Sequence, residues 1–497
     1  MTNPEKNATK LSVDLNVNIN HIENILGFPS DLIIKEFKVG GSHSCAIVCI
    51  DGLVNRDLIS EQILKSMLID LGESNKIIPV KGDEFVSFMR SELLPMHAMV
   101  EVFMMNEVLS AVLSGDTVLL IHGSSKALVI GTKGWKSRGI EEPQTEALIR
   151  GPRDGFTEDI CTTTSLIRRR LPDPNLRFDT YKIGERIPKE VIVAYIEGIV
   201  NPKLVDEVKR RLVSIKRDDT DGSGFIEQWI MDNFMSPFPQ ILNTERPDKV
   251  STALLQGRVA VLVDGTPFQL IMPISFVSSF HSPEDLYQNW MISSLIRFLR
   301  IAAAFMTTFL PALYIALTEF HHGMLPSKLA FSIAGAREGV PFPAVVEAFM
   351  MEGTLELLRE AGIRLPKPIG QTIGIVGGLV IGEAAVSAGI VSPIMVIVVA
   401  ITAISSFTLP TYSFAISLRM IRFAVMLAAG IFGIYGIVLA YIIISIHIVN
   451  LKSFGLPYST PVAPMFIKDW KQVLMRVPVT QLDNRLEMLE TQDKKRT

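Results

Sequence analysis

The run from Ile369 to Val449 constrains this chain more than any other, because only Glu383, Arg419 and Arg422 carry charge across it. A helix needs about 20 apolar residues to cross the hydrocarbon core of a bilayer. The run holds three such lengths, separated at Ser392-Pro393 and at Arg419 and Arg422, so we read membrane helices at about 369–391, 394–418 and 423–449. A fourth, at about 294–318, lies around an uncharged stretch bounded by Arg297 and Arg300 on one side and Glu319 on the other.

Everything before Trp290 reads as water-soluble, so the expected fold is an α/β N-terminal soluble region followed by an all-α polytopic membrane domain. A net charge of −3 without a basic stripe argues against nucleic acid as a partner. Cys45, Cys49 and Cys161 are odd in number and lack a histidine cluster. Neither a disulfide framework nor a zinc site follows, and buried, reduced thiols are expected. The N-terminus, MTNPEKNATKLSVDLN, is polar and has no apolar signal core, which places the soluble region in the cytoplasm.

That region repeats itself. Ile50-Asp51-Gly52-Leu53-Val54-Asn55 matches Ile196-Glu197-Gly198-Ile199-Val200-Asn201, each at the end of an apolar strand and each leading into an amphipathic run. A second pair, GDTVLLIHGSSKALVIG from Gly115 and GRVAVLVDGTPFQLIMP from Gly257, reads as two hairpins turning at Gly123 and Gly265. The offsets, about 146 and 142 residues, agree, so two duplicated subdomains of strand–helix–helix–hairpin plan are expected. The expected division is a polar N-terminal segment at 1–29, subdomain 1 with a linker helix at 30–170 and subdomain 2 at 171–290. The transmembrane domain follows at 291–450 and a C-terminal tail at 451–497. The linker helix, capped by Thr157 or Asp159 and ending in Arg168-Arg169-Arg170, is expected to present a solvated basic end rather than an anion site.

Two motifs fail on inspection. In Gly131-Thr132-Lys133-Gly134-Trp135-Lys136-Ser137 the tryptophan separates glycine from lysine, so amides and ammonium cannot converge on one phosphate. The stretch from Asp219 to Glu227 fills early positions of a calcium loop, but Ile230 stands where a bidentate glutamate belongs. A polar turn into a helix is expected there. No catalytic constellation, metal site or cofactor fingerprint appears, so the chain is read as a non-enzyme without cofactors.

The membrane region is more informative. Gly370, Gly374, Gly378 and Gly382 recur every fourth residue and form a smooth face for helix packing. Thr372, Val376, Leu379, Glu383 and Ser387 lie on roughly the opposite face. A carboxylate at mid-membrane depth marks either an ion or substrate path or a hydrogen-bonded interior site. Residues 327–365 carry nine charges, with Glu352, Glu356 and Glu360 on one face, and read as an amphipathic segment broken near Gly339 by Pro341 and Pro343. Both termini are expected inside, by the basic Arg297/Arg300 pair and the Lys494-Lys495-Arg496 tail.

The chain resembles the A subunit of the spore germinant receptors, the GerA family, from about Asp31 to Pro464. The resemblance rests on IRGPRDGFTEDICTTTSLIRRRLPDPNLR, DGSGFIEQWI, GRVAVLVDGTPFQLIMP, REGVPFPAVVEAFMMEGTLELLREAGIRLP, the glycine-striped helix and AGIVSPIMVIVVAITAISSF. It implies a multi-pass subunit in the spore inner membrane, acting with a transporter-like B subunit and a lipoprotein C subunit. It also implies a homo-pentameric ring around a pore that releases cations when germinant binds, which makes the Glu383 face a candidate pore lining. Asp154, where the family often has Glu, and Cys161-Thr162-Thr163-Thr164, in place of an Asn-containing run, depart from the pattern. The alternatives are the sporulation-stage paralogue of the A subunit, a secondary transporter, and a scaffold that only docks the germinant-binding subunit. A transporter would carry inverted repeats in the membrane region.

Overall fold

The computed structural model describes residues 9–39, 43–70, 82–89, 99–134, 142–143, 145–218, 220–366, 377–378 and 380–496. Two compact units emerge. The first comprises residues up to Met231, Ile241–Pro273 and Asp483–Thr497, and the second comprises Asp232–Gln240 and Ile274–Leu482.

The first unit is two copies of one plan. Copy one runs α1 (Leu15–Leu26), β1 (Leu32–Val39), β2 (His43–Ile50), a largely π-helical α2 over 56–70, α3 (Gly82–Phe88), β3 (Met99–Val102), α4 (Met105–Leu113), β4 (Thr117–Ile121) and β5 (Ala127–Ile130). Copy two runs α5 (Ile160–Arg170), β6 (Leu176–Ile183), β7 (Lys189–Ile196), α6 (Pro202–Val213), α7 (Ser223–Ile230), β8 (Leu242–Thr244), α8 (Pro247–Leu255), β9 (Val259–Val263) and β10 (Gln269–Met272). The sheets are antiparallel, with strand orders β1-β2-β4-β5-β3 and β6-β7-β9-β10-β8. Gly52 and Gly198 turn the matched strand ends at φ 76° and 80°, a left-handed conformation that glycine adopts without steric penalty.

Both faces of the first sheet are covered, which is why β2 is apolar at nearly every position. Ala46, Val48 and Ile50 pack with Leu15, Ile19 and Ile22 of α1 and Val108 and Val112 of α4. Cys45, Ile47 and Cys49 pack on the other side with Ile59, Ile63 and Phe85. Burial pushes the thiols up, Cys45 to about 12 and Cys49 to about 11. Cys161 departs from the expectation, because it is exposed on the first turn of α5.

Two further expectations need correcting. The N-terminal segment is not merely polar, since α1 supplies a wall of the core. Nor is α5 a linker. Its start lies about 145 residues after that of α1, and an aspartate caps each, Asp14 accepting from Asn16 N and Asp159 from Thr162 N. Each helix is preceded by a carbonyl that accepts from a hairpin glycine, Val13 O from Gly123 N at 2.9 Å and Glu158 O from Gly265 N at 2.8 Å. The repeat therefore begins one helix earlier than the strand motifs suggest.

The basic end of α5 is not solvated at Arg168. That side chain is 1% exposed, donates to Asp31 at 2.8 and 3.1 Å, and lies over the Phe178 ring. Arg177 of β6 reciprocates by donating to the Ile25 and Leu26 carbonyls at the C-terminus of α1, where cations oppose the helix dipole. The two copies are thus clasped by buried arginines. The polar turn before α7 is as expected, and no cluster of metal-binding side chains occurs among the described residues.

The second unit is helical: α9 (Trp290–Glu319), α10 (Ser327–Arg337), α11 (Ala344–Arg364), α12 (described at 377–378 and 380–387), α13 (Pro393–Phe407), α14 (Tyr412–Phe432), α15 (Ile434–Asn450) and α16 (Ile467–Val473). The span read at 394–418 is two helices, broken around Pro410. Arg419 and Arg422 do not separate spans, because they lie inside α14.

Contacts at the helix termini order these helices end to end. At the end where α9 begins, Asp285 takes hydrogen bonds from Arg297 at 3.0 Å and Arg300 at 2.9 Å, and Arg297 also reaches the Gln472 and Val473 carbonyls. Thr411, which caps α14, donates to Ser279 O at that same end. The chain leaving α15 is also there, since Phe276 N donates to Tyr458 O at 2.7 Å. At the far end, Glu319 accepts from Val345 N at the start of α11, and Tyr314 meets Ser392 at the start of α13. Helices α9, α11, α12, α13, α14 and α15 consequently alternate in direction, and the segment after α15 returns to where α9 began.

Candidate functional site

In the second unit, side-chain polarity is turned inside out. The buried face of α9 carries Ser293, Arg297, Arg300, Thr307, Thr308 and Thr318, while Leu295, Phe298, Leu299, Phe305 and Leu313 are exposed. Helix α14 likewise buries Ser417, Arg419 and Arg422 and exposes Met420, Leu427, Ile431 and Phe432. Among residues of α15 only Gly436 is buried. Water would drive the opposite arrangement, whereas lipid tolerates it. Helices α9 and α14 are long and apolar enough to cross a membrane; α13 and α15 are shorter apolar helices.

The buried charges converge between α11 and α14. Arg422, 1% exposed, approaches Glu352 at 2.8 Å and Glu356 at 3.1 Å. Arg359 binds Glu356 at 3.0 Å and Arg419 lies 3.6 Å from it. Helical spacing builds the cluster, since Glu352, Glu356 and Arg359 follow at intervals of four and three on α11, and Arg419 and Arg422 at an interval of three on α14. Three guanidinium groups thus face two carboxylates, and neither Glu352 oxygen finds a well-directed hydrogen bond among the described residues. Arg359 extends to Ser406 at 3.3 Å and to the ring of Phe407, tying in the end of α13.

A second buried carboxylate stands nearer the far end. Glu347, fully enclosed, accepts from Ser392 N at 2.8 Å and lies 3.1 Å from Arg337. It thereby joins α10, α11 and the N-terminus of α13. The amphipathic reading of 327–365 is corrected here, because Glu347 and Glu352 face inward while Leu357 is 73% exposed. Glu347 and Glu352 are thus packed, Glu356 is half-buried and Glu360 is exposed, so the carboxylate face leaves the core along α11.

The residues singled out on the glycine-striped helix fall partly outside the described residues: Gly370, Thr372, Gly374, Val376 and Leu379 do so. Glu383 and Ser387 lie on α12 and are exposed, as is Gly378. Gly382 is buried, and a Cβ there would contact Val396 of α13 at 3.7 Å. Sequence reasoning missed the pairing of α11 with α14. The signal was present, because arginines at an interval of three inside an apolar run need buried counter-charges.

A duplicated antiparallel α/β unit carrying an inside-out helical unit defines the class of this protein. The chain matches the family described as Bacillus/Clostridium GerA spore germination protein over residues 20–488. It is 50% identical to spore germination protein GerLA of Bacillus cereus over 477 residues, covering 95% of each chain. It is 42% identical to the uncharacterized membrane protein YfkQ of Bacillus subtilis (strain 168), covering 94% of this chain and 90% of that one. It is also similar to the crystal structure of the N-terminal domain of the A subunit of the Bacillus megaterium spore germinant receptor GerK3, at 32% identity and a TM-score of 0.41, covering 54% of this chain and 98% of that one. The chain belongs to the GerA family of spore germination proteins.

Proposed function

We infer that this protein is the A-type subunit of a nutrient germinant receptor in the spore inner membrane, where it forms a germinant-gated cation channel as a homo-oligomer, with five copies the expected number. A transporter-like B subunit and a lipoprotein C subunit complete the receptor. The duplicated unit lies in the cytoplasm and the alternating helices cross the bilayer, with α9 beginning, and the chain returning after α15, on the cytoplasmic side.

The observation that carries this reading is Glu383, an exposed carboxylate on α12 beside exposed Val380, Ile381 and Ser387. Facing lipid, such a group is costly, so it requires water or a neighbouring subunit. A pore supplies both. In that arrangement Glu383 and Ser387 line the path with Thr372, Val376 and Leu379, while the Arg422 cluster fixes α11 against α14 behind it. Gating is a two-state repacking biased by the germinant-binding partner.

The test is cation release from spores carrying Glu383→Gln, with receptor abundance checked by immunoblot. Altered or germinant-independent release at normal abundance is expected. Unchanged release would favour a scaffold that docks the germinant-binding subunit and would place the conducting path elsewhere.

A further inference from the structure

The two copies of the α/β repeat differ in how one groove is filled. In copy one the chain continues past β5 and lies along the Gly52 turn: Gly134 N donates to Leu53 O at 3.2 Å, Asn55 N donates to Thr132 O at 2.9 Å, and Val54 bridges Lys133. Thr132 is buried there, its hydroxyl 2.6 Å from that of Thr117. Copy two has no such continuation, because after β10 the chain leaves this unit at Pro273.

The C-terminal segment takes that place. Ile199, the counterpart of Leu53, accepts from Gln492 N at 3.0 Å. Thr491 is 5% exposed and abuts Gly257, the counterpart of Gly115, so closely that an added Cβ would lie 2.4 Å from its methyl carbon. Leu486, Met488 and Leu489 are buried as well. The segment is closed on itself by a bridge between Asn484 and Lys495 and by an ion pair of Arg485 with Asp493 at 2.9 Å, and Arg485 also donates to Leu255 O at 3.0 Å.

We propose that the groove beside Ile199 is a docking site for the chain's own residues 483–496, which form a releasable strap that holds the resting state. The same groove in copy one is filled by contiguous chain and cannot be vacated cheaply. In copy two the occupant is residues 483–496, which follow the helical unit that ends at Leu482 rather than strand β10. The helical unit is therefore joined covalently to the second repeat through Pro273 and on either side of Asp232–Gln240, and non-covalently through the docked strap that follows Leu482, and undocking the strap frees that last tie without unfolding either unit. The functional part of this inference rests on the receptor reading above; the docking part does not.

Docking is tested in the purified full chain with Ile199→Cys and Thr491→Cys in a Cys161→Ser background. Gln492 N donates to Ile199 O at 3.0 Å, and the methyl carbons of Ile199 and Thr491 lie 3.5 and 2.4 Å from a Cβ placed at Gly257, so the docked strap sets these two side chains beside each other and a paired cysteine probe reports on its presence. Spontaneous, dithiothreitol-reversible crosslinking within one chain is expected. Absence of the crosslink, or its formation only between chains, overturns the proposal. For function, spores carrying Arg485→Ala or lacking residues 483–497 are compared with wild type at matched abundance. Cation release at roughly tenfold lower germinant, or without germinant, is expected, and the crosslinked pair should shift the response the opposite way. If truncation lowers abundance, the crosslinked pair decides alone, and an unchanged response from it overturns the strap. If the wild-type chain supports no germinant response in any background, the receptor reading falls while the crosslink result stands.

Discussion

Arg422 of α14 lies 2.8 Å from Glu352 of α11, and both side chains are 1% exposed. Removing Arg422 takes from buried Glu352 its nearest counter-charge, and breaking a buried pair in this way typically costs about 3–5 kcal/mol, whereas replacing both with apolar groups is often close to neutral. Arg422→Met should therefore sharply lower the thermal midpoint of the micelle-solubilised chain, by an amount equivalent to about 3 kcal/mol. Adding Glu352→Met should restore much of the loss. A double variant no more stable than the single would show that the pair is not what joins these helices.

The duplication was legible because strand ends and hairpins carry glycines whose positive φ no side chain tolerates well, and these recur at nearly equal offsets in Gly52 and Gly198, and in Gly115 and Gly257. Helices α1 and α5 carry no such punctuation, and LNVNINHIENIL and ICTTTSLIRRR share little beyond a preceding aspartate, so the true start of each repeat was hidden. In the helical unit the apolar runs were plain. The inward direction of Glu347, Glu352 and Arg422 was not, because a periodic charged face has the same spacing whether it meets water or another helix. Only the partner helix decides, and that is a tertiary fact.

Gly52 and Gly198 share one backbone conformation in different surroundings. A Cβ on Gly52 would lie 2.1 Å from Ser165 Oγ of α5, while nothing stands within 4 Å of one on Gly198. Gly198→Ala should cost only the left-handed strain, about 1–2 kcal/mol. Gly52→Ala should cost more, because Ser165 must also move. Urea or thermal denaturation of the two variants compares them directly, and equal losses would mean that the contact with α5 gives way freely.

Glu227 on α7 gives the α/β unit a pH dependence of definite sign. The side chain is half-buried, and burial pushes its carboxyl up to about 7. In the unfolded chain a glutamate titrates near 4.3. Between those values the native state holds a proton that the unfolded state has released, so stability is fully present below the lower value and falls as pH rises through the upper one. A tenfold difference in proton affinity between the two states corresponds to about 1.4 kcal/mol, and partial exposure reduces the whole effect to about 1–2 kcal/mol. Glu227→Gln, neutral at every pH, should flatten the decline in melting midpoint between pH 5 and pH 8 and be the more stable protein at the upper end. Parallel curves for the two proteins would show that the carboxyl is already ionised in the native state at pH 5 and that its burial is relieved by water.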